Sequence, residues 1–500
     1  MKIKTALIVF NVAFWALLIL MFLATIFAGL GPILNYYVYA PLTFIFVIVT
    51  TFIVYRKDPP PATETDEKEA NAVEEGLPPT PPRKKERIEW IDDLKVLLIS
   101  LVVVGHSAVS IMGFGAFLTL GTIPADPDNT NVVPVAQTTY YDAVFWSCFF
   151  LLKPAIVPLF FFVSGFFSGM SRQKYGRSGF LKKTFMRLGP PALLFWLVVN
   201  PLNSYLGYAL VKPEGMTYAY SPGQAATWFL TWLMVFNCCY AYMDIEGLDG
   251  SMEVPTFGKV VKIGLIVGLM QGVAGILGIL SGGSFAEMPL LPIGDGYFNA
   301  LGYATGVMAF TNGWLNKDYQ VDKGLIKKSK IYVICASLLT IILCFACYAP
   351  TSPINEGVIG VPGLGVLVLS VGLFLPLGPY CPSVWIVILN AFRGDTSVAA
   401  EETAKGRKCP ALFKFMSGAA FAVFLFHYFF VTLYTYSFIE ILDVTQGIDI
   451  KFVNSTATAD TALGNGNEFA GFAFVATLSL ISAFLFGGLL KMIPGVGSFM

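Results

Sequence analysis

Long apolar segments separated by short polar ones recur along nearly the whole chain. A transmembrane helix needs about 20 predominantly apolar residues, and only helices and closed barrels satisfy every backbone polar group in lipid. Two such segments lie near 7–28 and 36–55, and about ten more follow after residue 90. The latter lie near 91–112, 143–170, 185–210, 224–243, 260–280, 293–313, 330–349, 358–390, 415–442 and 470–491. The chain is therefore predicted to be an all-α, polytopic membrane protein.

The composition supports this prediction and excludes some functions. Of the 500 residues, 56% are hydrophobic and 13% are charged, whereas soluble domains carry about 25% charged residues. The formal net charge is zero, so no nucleic-acid partner is expected. Cys344 and Cys347 form a C-x-x-C pair with neither a second pair nor a histidine nearby, so packing is favoured over metal binding. No metal site is predicted.

One segment differs in composition from the rest of the chain. Residues 56–87 are rich in Pro, Glu and Lys and almost free of large apolar side chains, which predicts a disordered linker. We therefore divide the chain into an N-terminal pair of transmembrane helices at 1–55, of which the first could be a signal anchor, the linker at 56–87 and a body of about ten helices at 88–500. The eighth segment of the body contains Pro376, Pro379 and Pro382 and is expected to be bent, broken or partly interfacial.

The basic residues predict the orientation. If the apolar segments alternate across the bilayer, 29 of the 32 Lys and Arg residues fall on one side, which marks that side as cytoplasmic. Both termini, the linker and a basic loop at 171–184 are then cytoplasmic, while the segments 113–139 and 443–469 face the other way. The latter contains the sequon Asn454-Ser455-Thr456, a tripeptide that also occurs by chance. The membrane is either the plasma membrane or an endomembrane.

The chain has only two histidines, and both lie within apolar segments. His106 and His427 are ionisable groups at membrane depth, where such groups are rare unless functional, and histidine exchanges protons near neutral pH. Asp92 and Lys95 are three residues apart and predict an ion pair on one helix face. Lys95 and His106 share a face and lie roughly 16 Å apart along the axis. The alternative is a lysine that reaches to the interface beside a hydrogen-bonded core histidine.

The segment 171–187, SRQKYGRSGFLKKTFMR, has six basic residues and no acidic one. Cytoplasmic loops have this composition in general. The functional alternative is a surface that binds phosphate groups, to which Arg offers a bidentate contact and Lys a point charge.

Several motifs together resemble one family. The pattern R-x-x-W-I-D-D-L-K-x10-H at 87–106 is similar to the first-helix motif of the acyltransferase 3 family of membrane acyltransferases, and VPLFFFVSGFFSG at 157–169 with FLKKTFMRLGPP at 180–191 resembles the next signature. The segments 227–242, 302–315, 419–430 and 489–500 resemble the branch that contains glucan biosynthesis protein C. The resemblance covers about 88–500 in the same order. The family usually has Arg where this chain has Lys95.

The resemblance implies an O-acyltransferase that moves an acyl group, acetyl or succinyl, from cytoplasmic acyl-CoA to a hydroxyl of a carbohydrate or another small acceptor. Acyl-CoA would be a co-substrate, with no permanently bound cofactor. A membrane transporter and a non-catalytic receptor built on the same body are the alternative functions; a transporter would usually show internal repeats and paired broken helices.

The resemblance also assigns roles to individual residues. His106 would be catalytic, as general base or as transient acyl carrier. Asp92 would hold Lys95, Ser164 would permit close helix packing, and His427 would serve either acceptor binding or packing. The residues expected to bind the phosphates of the donor are Lys95, Arg172, Lys182, Lys183 and Arg187.

Overall fold

The structure is a computed structural model that describes residues 88–111, 122–124, 140–211, 216–220, 222–223, 225–242, 252–280, 296–316, 319–348, 364–393, 410–447, 451–453, 456–458 and 467–493. The helix pair predicted at 1–55, the linker predicted at 56–87 and the sequon at Asn454 lie outside the described residues.

Helices make up most of the described part of the chain. They are α1 Glu89–Ile111, α2 Tyr140–Leu194, a π-helix Phe195–Val199, α3 Asn200–Val211, a 3-10 turn Ala225–Thr227, α4 Trp228–Tyr242, α5 Phe257–Leu280, α6 Gly296–Thr311, α7 Lys323–Tyr348, α8 Leu364–Arg393, α9 Pro410–Gln446 and α10 Asn467–Met492. Four three-residue strands form two antiparallel pairs: β1 Thr122–Pro124 with β2 Met216–Tyr218, and β3 Lys451–Val453 with β4 Thr456–Thr458.

The prediction of an all-α, polytopic membrane protein is confirmed. Six of the described helices are long and apolar enough to cross a membrane, and they span Glu89–Ile111, Ala143–Leu210, Lys323–Ala346, Gly372–Arg393, Ala411–Gln446 and Asn467–Met492. Large apolar side chains remain exposed on their outer faces, such as Ile334, Leu338 and Ile342 of α7. In a bilayer these faces contact lipid tails, which are as apolar as the side chains themselves.

The basic segment 171–184 is helical, and the prediction of a loop there is wrong. Within it two helices meet at a kink at Gly176, where φ is +65° and ψ is −179°, and together they form α2. Lys, Arg, Gln and Leu are good helix formers, so the charge of this segment does not interrupt the helix. Glycine adopts a positive φ at little cost, and the two halves of α2, which were predicted as separate spans, therefore meet at this residue.

One end of the bundle collects the basic residues of this region. Lys95, near the start of α1, lies over the ring of Phe167 shortly before the bend of α2, and Val96 packs in one cluster with Ala419 near the start of α9. α1 therefore begins, α2 bends and α9 begins at the same end, which we call the basic end. It carries Lys95, Arg172, Lys174, Arg177, Lys182 and Lys183.

Glycines set the distance between α2 and α6. A Cβ atom built on Gly302 would lie 2.2 Å from the carbonyl oxygen of Pro158, and one on Gly306 would lie 2.0 Å from that of Phe162. From the other side, a Cβ on Gly165 would lie 2.2 Å from the carbonyl oxygen of Tyr303. The two backbones are in direct contact, as in the small-residue packing that replaces the hydrophobic effect between helices in lipid.

α8 runs unbroken through its three prolines, so the expected break is not found. Pro376, Pro379 and Pro382 all lie inside the helix Leu364–Arg393. At this level α8 is pressed against α5, where a Cβ on Gly264 would lie 2.5 Å from the backbone of Pro379. Prolines are tolerated in membrane helices when neighbouring helices and side chains support the backbone around them.

Two donors from a segment after α3 reach carbonyls of the π-helix near Pro201. Proline has no N–H, so one carbonyl about a helical turn before it lacks its helical donor: that of Leu197 in an α-helix, or that of Trp196 in a π-helix. Trp196 O accepts from the N–H of Gly223 at 3.4 Å, and Leu197 O accepts from the hydroxyl of Tyr220 at 2.7 Å. Tyr220 and Gly223 thereby supply hydrogen-bond donors to the π-helix.

Candidate active site

The two histidines lie at the same depth in neighbouring parallel helices. His106 is 17 residues beyond Glu89, where α1 begins, and His427 is 17 residues beyond Pro410, where α9 begins. At 1.5 Å per residue this places both roughly 26 Å from the starts of their helices. α1 and α9 pack along their length, and beyond the histidines Thr435 bonds to Ser110. Equal register brings two residues that are 321 positions apart in the chain into contact.

A short hydrogen bond joins the two imidazole rings. Nδ1 of His106 lies 2.6 Å from Nε2 of His427. The ring planes are within 12° of each other and the centroids are 4.8 Å apart, which is the geometry of an edge-to-edge hydrogen bond in a common plane. His427 is fully buried and His106 is half-buried.

The partners of His427 determine which nitrogens carry hydrogen. Nδ1 of His427 faces two backbone oxygens, Phe424 O at 2.8 Å and Val423 O at 3.1 Å. A carbonyl oxygen only accepts, so this Nδ1 must donate, and the Nε2 of a neutral His427 is then an acceptor. Nδ1 of His106 therefore donates to it. In a neutral His106 the Nε2 atom carries the lone pair and is the basic nitrogen.

An aromatic ring lies beside the pair. The ring of Tyr428 lies 4.9 Å from that of His106 and 5.0 Å from that of His427, measured between centroids. Gly105 is exposed, and a Cβ built on it would touch no described atom, so α1 is open immediately beside His106.

Lys153, on α2, is a cation that the sequence analysis did not single out. It was counted only as one of three basic residues on the side opposite to the basic end. A cation well inside a transmembrane segment was a usable signal, because such residues are rare and usually functional. In the structure its ammonium lies 4.8 Å from the ring centroid of Phe149.

The ion pair predicted between Asp92 and Lys95 is present. Lys95 Nζ lies 3.3 Å from Asp92 Oδ1 and 4.4 Å from the ring centroid of Phe167. Lys95 and His106 belong to the same face of α1 but are separated by roughly 16 Å along its axis. Lys95 is thus a group of the basic end and not of the histidine pair.

The basic residues of α2 are distributed over different faces. Arg172 is half-buried, donates to Tyr240 O at 2.7 Å and lies 4.6 Å over the ring of Tyr240. Lys183 is exposed and lies 3.9 Å over the ring of Tyr175. Lys182 and Arg187 are exposed as well, and Arg187 shares its helix face with the exposed Leu194. The donor-binding role expected for these residues stays a prediction.

Ser164 and the cluster beside it lie deeper in α2. Ser164 is half-buried next to Gly165, at the contact with α6. One turn further, Asn237 Oδ1 accepts hydrogen bonds from Ser168 and Tyr303, both at 2.7 Å. These three buried residues join α2, α4 and α6 by polar contacts that sequence reasoning missed.

A groove of about 490 Å³ opens at the basic end between α1, α8 and α9. It is lined by Asp93, Val96, Leu97, Ser100, Phe392 and Phe413. At 100° per residue, Asp93, Leu97 and Ser100 lie on the face of α1 opposite to Lys95 and His106. The groove is therefore not continuous with the face that carries the histidine.

Comparison with known proteins gives one match. A family model described as an acyltransferase domain matches residues 88–492. No curated protein and no solved structure matches the chain. The matched range contains every candidate site residue discussed above.

Proposed function

The chain belongs to the acyltransferase 3 family and is an integral-membrane acyltransferase, and from this membership we propose that it is an O-acyltransferase that uses acyl-CoA. The acyl group, acetyl or succinyl, would pass from the cytoplasmic side to a hydroxyl of a carbohydrate or another small acceptor. The observation that carries the proposal is the half-buried His106, whose Nδ1 is bonded to His427 and whose Nε2 is the basic nitrogen.

The proposed reaction uses Nε2 of His106 as a general base. It takes the proton of the acceptor hydroxyl while the oxygen attacks the carbonyl carbon of the thioester. The C–S bond then breaks, and the same proton returns from His106 to the departing sulfur of coenzyme A. A positioned general base contributes roughly a hundred- to ten-thousand-fold to the rate. If His106 instead carries the acyl group, free coenzyme A is released before the acylated acceptor appears.

The donor would enter from the basic end. Lys95 and the basic residues of α2 at 172–187 provide positive charge for the phosphates of coenzyme A. The separation of roughly 16 Å between Lys95 and His106 along α1 requires the donor to extend into the bundle. The acceptor would reach Nε2 from the open side of α1 beside Gly105 or from the opposite membrane face.

Turnover by purified protein tests the proposal. The intact chain in detergent is incubated with a panel of acyl-CoA thioesters and hydroxyl acceptors, and released thiol and acylated product are measured. We expect the His106→Ala variant to lose at least about a hundredfold in turnover while it still binds the donor. The matched control is Ser100→Ala, because Ser100 lies on the same helix and its hydroxyl contacts only the carbonyl of Val96 among the bonds identified.

Two outcomes would contradict it. A His106→Ala variant within threefold of the wild type excludes the role of His106. Wild-type protein that consumes no acyl-CoA, yet moves an acceptor across vesicle membranes, would instead support the transporter alternative.

A further inference from the structure

We propose that His427 is a positioning residue that fixes the tautomer and orientation of His106 for acyl transfer. The inference rests on the proposed function and extends it to a second helix. Its basis is the chain of hydrogen bonds that runs from His106 through His427 to the backbone of α9.

Both nitrogens of His427 are already used within the protein. Nδ1 donates to the carbonyl oxygens of Phe424 and Val423, and Nε2 accepts from Nδ1 of His106. The side chain is fully buried. A role in binding the acceptor would need a nitrogen that faces the acceptor, so of the two roles expected for His427 this one does not fit the geometry.

Packing alone does not account for the geometry either. An apolar side chain of similar volume would fill the space without placing two ring nitrogens 2.6 Å apart in nearly parallel planes. The bond has a chemical consequence, because it directs the hydrogen of a neutral His106 to Nδ1 and leaves Nε2 as the base. A catalytic histidine depends on such a partner for the correct tautomer and ring orientation.

The same chain of bonds can hold the proton that the reaction places on His106. When Nε2 takes the proton of the hydroxyl, His106 becomes an imidazolium and its Nδ1–H bond to His427 becomes charge-assisted. The positive charge on His106 polarises His427 and thereby strengthens the hydrogen bonds from its Nδ1–H to the carbonyl oxygens of Val423 and Phe424. The ring of Tyr428 lies beside both imidazoles. The proton then leaves on the sulfur of coenzyme A, so the pair returns to its starting state.

Two substitutions separate positioning from packing. In His427→Leu the acceptor is lost while apolar volume is retained, and we expect kcat to fall about a hundredfold, the lower end of what a positioned base contributes, with the KM values for donor and acceptor nearly unchanged. In His427→Gln the side-chain carbonyl can accept from Nδ1 of His106, and we expect most of kcat to return. Equal losses in both variants, with thermal stability and acyl-CoA binding intact, would overturn the proposal, as would a His427→Leu variant within threefold of the wild type.

A measurement on the unmodified chain covers the case in which both variants fail to fold. Since the chain has only two histidines, ¹⁵N-histidine labelling of tag-free protein yields the imidazole signals of this pair alone. We expect both rings to be neutral near pH 7.5 with hydrogen on Nδ1. An Nε2–H tautomer on either ring would contradict the proposal. This readout needs no turnover, so the absence of acyl transfer would count against the proposed function and not against the hydrogen-bonded pair.

Discussion

Arg172 contacts Tyr240 in two ways at the basic end. Its guanidinium lies 4.6 Å over the ring, and one of its N–H groups donates to the carbonyl oxygen of the same residue at 2.7 Å. The contact joins α2 to α4 just before the bend at Gly176. A guanidinium has five N–H donors in a fixed plane, so a side chain oriented by Tyr240 is still suited to contact a phosphate.

Replacement of Arg172 by lysine tests whether this orientation matters for the donor. Lysine keeps the charge but loses the planar donor set. We expect the KM for acyl-CoA to rise about tenfold, equivalent to about 1.4 kcal/mol, with kcat changed less than threefold. Lys174→Ala is the comparison, because it removes an exposed charge of the same segment. A higher KM for Lys174→Ala with no change for Arg172→Lys would indicate that only the summed charge is important.

The sequence predicts the helices of this protein better than the connections between them. Apolar segments of about 20 residues report directly on membrane crossing, and α1 at Glu89–Ile111 agrees closely with the segment predicted at 91–112. The stretch 171–184 was predicted as a loop because it is basic and polar and lies between two apolar segments. In the structure the stretch is helical on both sides of Gly176, the one residue of α2 with non-helical φ and ψ angles.

The candidate site was predictable only in part. The rarity of His106 and His427 at membrane depth identifies both as candidates, but no local pattern shows that residues 321 positions apart share a hydrogen bond. That contact depends on the equal register of α1 and α9. The pair Asp92 and Lys95 was accessible from sequence because a helix brings residues three apart together.

A second prediction concerns this ion pair. Both side chains are partly exposed, with 33% of Lys95 and 17% of Asp92 accessible, and pairs near water contribute at most about 1 kcal/mol. Asp92→Asn should therefore leave the midpoint of thermal unfolding nearly unchanged. If Asp92 holds Lys95 for the donor, the KM for acyl-CoA should nevertheless rise severalfold. A large loss of stability without a change in KM would assign the pair a structural role.

The contact between α2 and α6 leads to a third prediction. A Cβ at position 306 would lie 2.0 Å from the carbonyl oxygen of Phe162, so Gly306→Ala must force the two helices apart. We expect a loss of about 1–3 kcal/mol, the range for overpacked interiors, seen as a lower melting temperature in detergent. Gly258→Ala is the matched control, because a Cβ there would touch no described atom and alanine favours the helix. Equal melting temperatures for the two variants would contradict the close contact.

The last prediction concerns the orientation in the membrane, which was inferred because 29 Lys and Arg residues fall on one side and 3 on the other. Lys174, next to the bend of α2, is exposed, and Val444, near the far end of α9, is 83% exposed. Single cysteines at these two positions are labelled with a membrane-impermeant maleimide in sealed vesicles of known sidedness. Native Cys148 and Cys335 are exposed as well, but they lie within apolar helices that face lipid, and the unsubstituted protein measures their background labelling.

We expect Lys174→Cys to react only from the cytoplasmic side and Val444→Cys only from the other, because Lys and Arg are retained on the cytoplasmic side during insertion. Labelling of both positions from the same side would refute the topology and, with it, the entry of a cytoplasmic donor at the basic end.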